Sequence, residues 1–202
     1  MLCTKEDWDL SGVLSPNSND PRVVRTRQLI LDAFLHQLNL KNFNSITIQK
    51  ITEQATINRA TFYAHFQDKY ALLEALLSDA FMEYVTKRVN PDARLSAETI
   101  EQLIFSLCDY HVSSNDCIKK YETVAPIIEE NIKTQLELFL LELMSRAAKD
   151  VDPKTLKITA TMLSWSIYGM TYRWNMDGRE ESPTDLAQRV VPYMMGGLEL
   201  LN

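Results

Sequence analysis

Apolar side chains recur at spacings of three and four through most of this chain, the interval that puts them on one face of an α-helix. Ile30, Ala33, Phe34 and Leu38 make the first such stripe and predict a helix from about Pro21 to Leu40, with Pro21 suited to a first turn whose N–H needs no partner. Ile48, Ile51 and Ala55 make the next, behind Thr47, a suitable N-cap for a short helix over Thr47–Ala55. Thr56, Ile57 and Asn58 then form a turn, and Asn58 caps a second short helix from Arg59 to about Phe66. In that helix Phe62 and Phe66 fall on the inward face, while Arg59, Thr61, Tyr63 and His65 do not. A segment rich in Leu, Ala, Phe and Met follows from Lys69 to about Val89 and stops at Asn90-Pro91, because the residue before a proline is pushed out of the helical region.

Beyond it the pattern predicts helices over about Ala97–Ser113, Cys117–Thr123, Pro126–Lys149, Pro153–Met176 and Pro183–Leu201, several of them opening on a proline. Only 5 glycines and 7 prolines leave few turn formers, which favours long helices. The expectation is an all-α chain with a flexible arm over residues 1–20, a three-helix unit over 21–68 and a helical body over 69–202. The arm holds Ser-Pro-Asn-Ser-Asn-Asp-Pro and little periodicity. Its Trp8 and Leu10 leave open whether it folds back on the body or lies near a nucleic-acid groove.

Two short helices joined by three residues, the first bracing the second, make a helix-turn-helix, whose second helix enters a DNA major groove roughly 12 Å wide. Close crossing of the pair needs a small residue, which Ala55 supplies, and Ile57 can plug the gap between Ile51 and Phe62. Arg59 suits a bidentate pairing with a guanine edge and Thr61 a base edge or thymine methyl, while Tyr63, His65 and Lys69 are placed for phosphates. Thr47 and the backbone at its helix start suit one more phosphate, and Gln49 and Lys50 are further candidates for base or backbone contact. The candidate DNA-binding set is therefore Thr47, Gln49, Lys50, Asn58, Arg59, Ala60, Thr61, Tyr63, His65 and Lys69. A lone Arg or Lys would merely solvate a surface; the fixed offset of Arg59 and Lys69 from the turn is what singles them out.

Charge supports this placement. The formal net charge of −6 argues against nucleic acid only if it is spread evenly. It is not: residues 21–72 hold seven Lys and Arg against three Asp and Glu, a surplus of four, so the remainder carries −10. A basic amino-terminal end on an acidic body fits a protein that meets phosphates at that end alone.

The stretch from about Arg22 to Leu77 closely resembles the tetracycline-repressor (TetR/AcrR) family of bacterial transcriptional regulators. The resemblance is carried by Ile-Thr-Ile-Gln-Lys-Ile (46–51), Asn-Arg-Ala-Thr-Phe-Tyr-Ala-His-Phe (58–66) and Asp-Lys-Tyr-Ala-Leu-Leu (68–73). It implies DNA contacts at Thr47, Arg59, Thr61, Tyr63, His65 and Lys69, approach of the backbone or minor groove near Arg22, Arg25 and Arg27, dimerisation through the last two helices, and a small-molecule inducer held in the body. One departure stands out: the family usually has Gly where this chain has Thr56. A left-handed conformation is disfavoured for a β-branched residue, so either strain is tolerated there or that helix ends differently.

In the body, Leu156, Ala160, Leu163, Ile167, Met170, Thr171 and Trp174 form one stripe, with Gly169 permitting close approach, and Leu186, Val190, Tyr193, Met194, Gly197, Leu198 and Leu201 form another. Two such helices from each of two subunits would build a four-helix homodimer interface, with Leu163, Ile167, Trp174, Val190, Met194, Gly197 and Leu198 as its candidates. The same stripes also serve as the domain's own core. Two-fold symmetry would set two readers roughly 34–36 Å apart on a pseudo-palindromic double-stranded operator. Aromatics and methionines, among them Tyr110, Met144, Met162 and Trp165, suit a broad apolar pocket, with Phe81, Tyr84, Phe105, Tyr168 and Tyr172 as ligand-binding candidates and core packing as the alternative for each.

No run approaches ~18 uninterrupted apolar residues, and Glu6, Asp7 and Asp9 are foreign to a signal peptide, so a cytoplasmic protein with no membrane partner is expected. Cys3, Cys108 and Cys117 are odd in number without Cys-x-x-Cys spacing, and His36, His65 and His111 are scattered, so neither metal nor cofactor is implied. Without a Gly-rich phosphate loop, nucleophile elbow or His–carboxylate arrangement, catalysis has no support. The resulting fold expectation is an N-terminal three-helix helix-turn-helix DNA-binding domain followed by a C-terminal helical ligand-binding and dimerisation domain. The functional expectation is a sequence-specific DNA-binding transcriptional regulator, a repressor released from its operator by a small-molecule ligand. The alternatives are a TetR-like coregulator acting through protein contacts and a helical small-molecule carrier or enzyme.

Overall fold

The computed structural model describes residues 20–120, 124–147 and 151–198, with the backbone alone at 114–120 and 198. These residues form α1 (Pro21–Leu40), a single 3₁₀ turn (Phe43–Ser45), α2 (Ile48–Ala55), α3 (Arg59–His65), α4 (Lys69–Thr86), α5 (Ala97–Lys120), α6 (Ala125–Ala147), α7 (Pro153–Met176) and α8 (Pro183–Leu198). The fold is all-α, as the periodicity predicts. One break is absent: α5 runs through Ser113 to Lys120 as one helix, where the pattern implied a stop and a new start at Cys117. Ser113, Ser114, Asn115 and Asp116 are weak helix formers, but without Gly or Pro among them nothing forces the chain out of the helix. The arm up to Asn19, with Cys3, Trp8 and Leu10, lies outside the described residues, as do Thr123, Lys149 and Leu201.

The chain divides into two compact units, one taking residues up to Ala80 together with 116–128, the other taking 81–115 and the residues from Glu129 onward. The first unit thus continues past 68, because the opening turns of α4 bury Leu72, Leu73, Leu76 and Ala80. Its core joins Ile30, Leu31 and Phe34 of α1, Phe43 and Ile46 of the connecting turn, Ile51 of α2 and Phe62 of α3. Phe34 meets Phe43 edge-on at 6.3 Å between ring centroids, and Phe43 meets Tyr70 at 5.1 Å.

Each of α1 to α4 has at least one of its first N–H groups satisfied by a side chain. Asp20 accepts from the Arg22 N–H at 2.8 Å ahead of α1, Thr47 from Lys50 at 3.4 Å ahead of α2, and Asn58 from Thr61 at 2.7 Å ahead of α3. Asp68 accepts from both Tyr70 and Ala71 at 2.8 Å ahead of α4. α2 ends with Thr56 left-handed, at φ 55° and ψ 45°. The Ile57 N–H reaches the Thr52 carbonyl at 3.0 Å and the Thr56 N–H reaches Glu53 at 3.3 Å, the paired bonds of a Schellman motif. Of the two alternatives for this turn, strain tolerated by a β-branched residue is the one realised.

The second unit buries Ile100, Leu103, Ile104 and Leu107 of α5, Ile132, Leu136, Leu140 and Leu143 of α6, and Leu156, Ala160, Leu163 and Ile167 of α7. α7 passes to α8 through Gly178 and Arg179, both at positive φ, and the Trp174 indole N–H donates to the Glu181 carbonyl at 2.8 Å across that turn. Cys108 is buried and its thiol pushed up to about 12, by burial first and then by Asp109, which makes it inert. The side chain of Cys117 lies outside the described residues. No helix among the described residues is long and apolar enough to cross a membrane.

Candidate functional site

α3 is held from below by Phe62, 0% exposed, and by Phe66, whose rings lie 6.0 Å apart. With those rings down, Arg59, Ala60 and Tyr63 are turned to solvent, Tyr63 at 56% exposure. Asn58 Oδ1 accepts from the Thr61 hydroxyl at 3.0 Å as well as from its N–H, so Thr61 spends its hydroxyl proton on the cap and keeps its oxygen lone pairs and methyl for other contacts. The Arg59 guanidinium donates to Gln49 Oε1 at 3.4 Å, and Gln49 Nε2 donates to Glu53 Oε1 at 2.9 Å. This chain of side chains lays the arginine against α2 and couples Gln49 to it.

His65 is half-buried, and its pKa is lowered by burial and then by the charge of Arg27, so near neutral pH it presents a neutral ring rather than the cation that phosphate contact favours. Arg27 itself lies 4.7 Å from the Phe66 ring centroid, a cation–π contact that ties α1 to the end of α3. Lys69 is engaged within the protein. Its ammonium donates to the carbonyls of Phe43 at 3.1 Å, Asn44 at 3.3 Å and Ile46 at 3.2 Å, which engages all three of its N–H groups in the DNA-free protein.

Thr47 and Lys50 are exposed at the start of α2. Lys41 stands beside Lys50, whose contact and charge lower the Lys41 pKa below the ordinary lysine value. Two ammonium groups brought together next to a helix N-terminus form a spot that an anion would relieve. Sequence reading passed over Lys41, because its nearness to Lys50 arises only when the 3₁₀ turn folds the chain back.

In the second unit, four of the five ligand-binding candidates come together around Tyr110 and His111. Phe81 and Tyr84 meet Tyr110 edge-on at 5.8 and 5.6 Å, while Tyr168 and Tyr172 lie 5.7 and 6.1 Å from His111 and stack on each other at 5.8 Å. Phe105 stands apart: it is half-buried beneath Arg88, 5.9 Å away, which pairs with Asp109. Met162 and Trp165 are exposed and do not join the cluster. His111, 2% exposed and beside the Thr171 hydroxyl at 3.3 Å, is the member that sequence reading missed, since one histidine in a helix carries no signal of its surroundings. Burial, and then Arg179, lower its pKa to about 4. Among the described residues no group of His, Cys, Asp and Glu could hold a metal ion.

Of the interface candidates of α7, Ile167 and Trp174 are buried on the stripe shared with Leu156 and Ala160, which packs into the unit's own core, while Leu163, also buried, lines the groove between α7 and α8. The solvent face carries Ile158, Met162, Trp165, Met170 and Met176 instead. On α8, Met194 is buried, Val190 half-buried, and Gly197 exposed beside Tyr193, which is 85% exposed. The side chain of Leu198 is outside the described residues. A groove of about 480 Å³ runs between these helices, bordered by Met162, Leu163, Val190, Tyr193, Met194 and Gly197.

Residues 30–76, from the second half of α1 into α4, match the family model of bacterial regulatory proteins, tetR family. The chain is 42% identical over 67 residues to the uncharacterized HTH-type transcriptional regulator YxbF of Bacillus subtilis (strain 168), a span of 33% of this chain and 18% of that protein. It is 28% identical over 113 residues to YdeS of the same organism, also an uncharacterized HTH-type transcriptional regulator, a span of 55% of each. The chain thus covers less than two thirds of the length of either relative. Among solved structures, a TetR transcriptional regulator from Streptococcus agalactiae 2603V superposes with a TM-score of 0.51 at 20% identity, covering 86% of this chain and 95% of that one. The TetR family repressor AlkX from Dietzia sp. strain DQ12-45-1b gives 0.52 at 17% identity, covering 84% and 95%. At those identities the likeness is one of fold. The tetR-family match is thus confined to residues 30–76, across α2 and α3, within a chain whose fold is like that of solved TetR-type regulators.

Proposed function

We propose that the protein is a cytoplasmic transcriptional regulator that binds a pseudo-palindromic DNA operator as a homodimer and leaves it when a small-molecule effector binds. The observation that carries this reading is the outward face of α3, where Arg59 and Tyr63 stand free of the core beside a basic start of α2. Arg59 reads a base edge; Thr61 adds a base or thymine-methyl contact; Tyr63, Thr47, Lys50 and Lys41 hold phosphates.

The second copy covers the exposed face of α7 and α8. Met162, at 66% exposure, and Tyr193 border an apolar groove, and a Cβ built on Gly169, Gly196 or Gly197 would meet nothing within 4 Å, so bare backbone on this face is left for a partner to approach. The effector site is assigned to the ring cluster of Phe81, Tyr84, Tyr168 and Tyr172 with His111 among them. Release follows if the effector binds better to the conformation that cannot hold DNA, with α4 supplying residues to both units.

Selection of binding sites from random duplexes by the purified protein tests the reading. The expected result is a two-fold symmetric site whose affinity falls steeply with salt. Recovery of no preferred sequence would remove it. Sedimentation of Tyr193→Glu at micromolar concentration tests the interface: a lone subunit is expected where the parent protein is a dimer.

A further inference from the structure

Lys69 lies 26, 25 and 23 positions along the chain from the three carbonyls it contacts, so it ties the first residue of α4 to the turn that launches α2. That turn is a single one, closed by the Ser45 N–H and hydroxyl, which reach the Asn42 carbonyl at 3.0 and 2.8 Å, and by the Ile46 N–H, which reaches Phe43 at 3.1 Å. Its carbonyls converge, and converging carbonyl dipoles repel unless a cation sits among them. The Lys69 ammonium also rests 4.5 Å from the centroid of the buried Phe43 ring. The neighbouring carboxylate, Asp68, is occupied by the α4 cap and does not compete for the ammonium. Burial lowers the lysine's pKa, the mark of a charge taken partly out of water, where its bonds strengthen. Thr47, the cap of α2, follows Ile46 directly, so whatever holds the Ile46 carbonyl also sets where the start of α2 stands.

We propose that Lys69 is a positioning residue for DNA recognition: its ammonium gathers the carbonyls of Phe43, Asn44 and Ile46 and thereby places Thr47 and the first N–H groups of α2 against a phosphate, without itself touching DNA. The proposal rests on the DNA-binding reading above for its functional half, and on the free protein alone for its structural half.

The test uses Lys69→Met, Lys69→Arg and Thr47→Ala in the full chain. In the free protein, amide exchange at Ser45 and Ile46 should rise by about tenfold in both lysine variants, since a planar guanidinium cannot converge on three carbonyls as an ammonium does. On the selected operator, Lys69→Arg should weaken binding as much as Lys69→Met, while the slope of log affinity against log salt changes by less than about half a unit. Thr47→Ala should cost little once Lys69 is Met, because the two act through one contact. A phosphate ligand would behave otherwise: Lys69→Arg near parental affinity, a slope about one unit shallower for Lys69→Met, and additive effects with Thr47→Ala. That pattern, or unchanged exchange at Ser45 and Ile46, overturns the proposal. Failure to select any operator would sink the DNA-binding reading, while the exchange measurement would still decide whether Lys69 holds the turn.

Discussion

The two units solve the same problem, keeping helices in place, by different means. In the first, α2 and α3 have eight and seven residues, too short to persist in water unaided. They stand because side-chain caps, a Schellman turn and buried Phe62 all agree, and each of those devices acts within a few residues of the element it secures. In the second, α5, α6 and α7 have 23 or 24 residues, and apolar side chains on more than one face. There the choice of inward face is settled by packing, and the interior keeps a polar group, His111, among tyrosines. A short capped helix advertises its orientation; a long apolar one does not.

Four measurements would break or sharpen that contrast. The largest effect is expected at Phe62, where truncation to Ala should cost about 3–5 kcal/mol of stability in urea unfolding and abolish DNA binding, because its ring is fully buried and fixes the inward face of α3. A cost under about 1 kcal/mol would mean that the caps, not the core, hold the reader.

The second separates the units by pH. His111 is neutral when folded, with a pKa lowered to about 4, so its contribution is complete above the ordinary histidine value and is lost as pH falls through that value toward about 4, an effect on the order of 3 kcal/mol. Asp79, in the first unit, has the opposite sign: burial, partly offset by Arg27, raises its carboxyl to about 6, so stability is lost as pH rises from the ordinary carboxylate range through about 6. Amide exchange followed across this window should show the second unit loosening toward acid, an effect absent in His111→Gln. Asp79→Asn should protect the first unit at pH 7 and leave it unchanged at pH 4. Both units loosening together in acid, in the variants as in the parent, would refute the separation.

Third, Arg59→Ala should cost roughly 1–3 kcal/mol of DNA affinity and relax preference at one base position per half-site, read by repeating the site selection with the variant. An unchanged preferred sequence would mean that Arg59 serves only its bond to Gln49. The smallest effect is a gain: Thr56→Gly relieves the left-handed strain at φ 55° and should stabilise the protein by about 0.5–1 kcal/mol, after the larger chain entropy of glycine is set against it.

Much of the first unit can be read without a structure. The limits Pro21–Leu40 for α1, the turn over Thr56-Ile57-Asn58 and the inward pair Phe62 and Phe66 all follow from capping residues and three-four spacing. The same holds for Pro153–Met176, bracketed by an Asp-Pro start and Gly178. What escapes is contact between distant residues. Lys69 reads as a phosphate contact in the sequence, and that its ammonium serves carbonyls of another element is visible only in the fold. Ile167 and Trp174 lie on a stripe equally suited to a core or to a partner, and the fold buried them while leaving Met162 and Tyr193 outside.

By itself the sequence determined that the described residues form helices and no strands, where the short helices start and stop, and which end carries the positive charge, because capping, periodicity and charge are decided within about four residues or summed along a segment. Only the tertiary structure decided which apolar face of α7 was buried, that Lys41 stands beside Lys50, and that His111 lies among tyrosines. Those outcomes depend on pairs of residues far apart in the chain, whose meeting is set by the packing of whole helices and not by any local pattern.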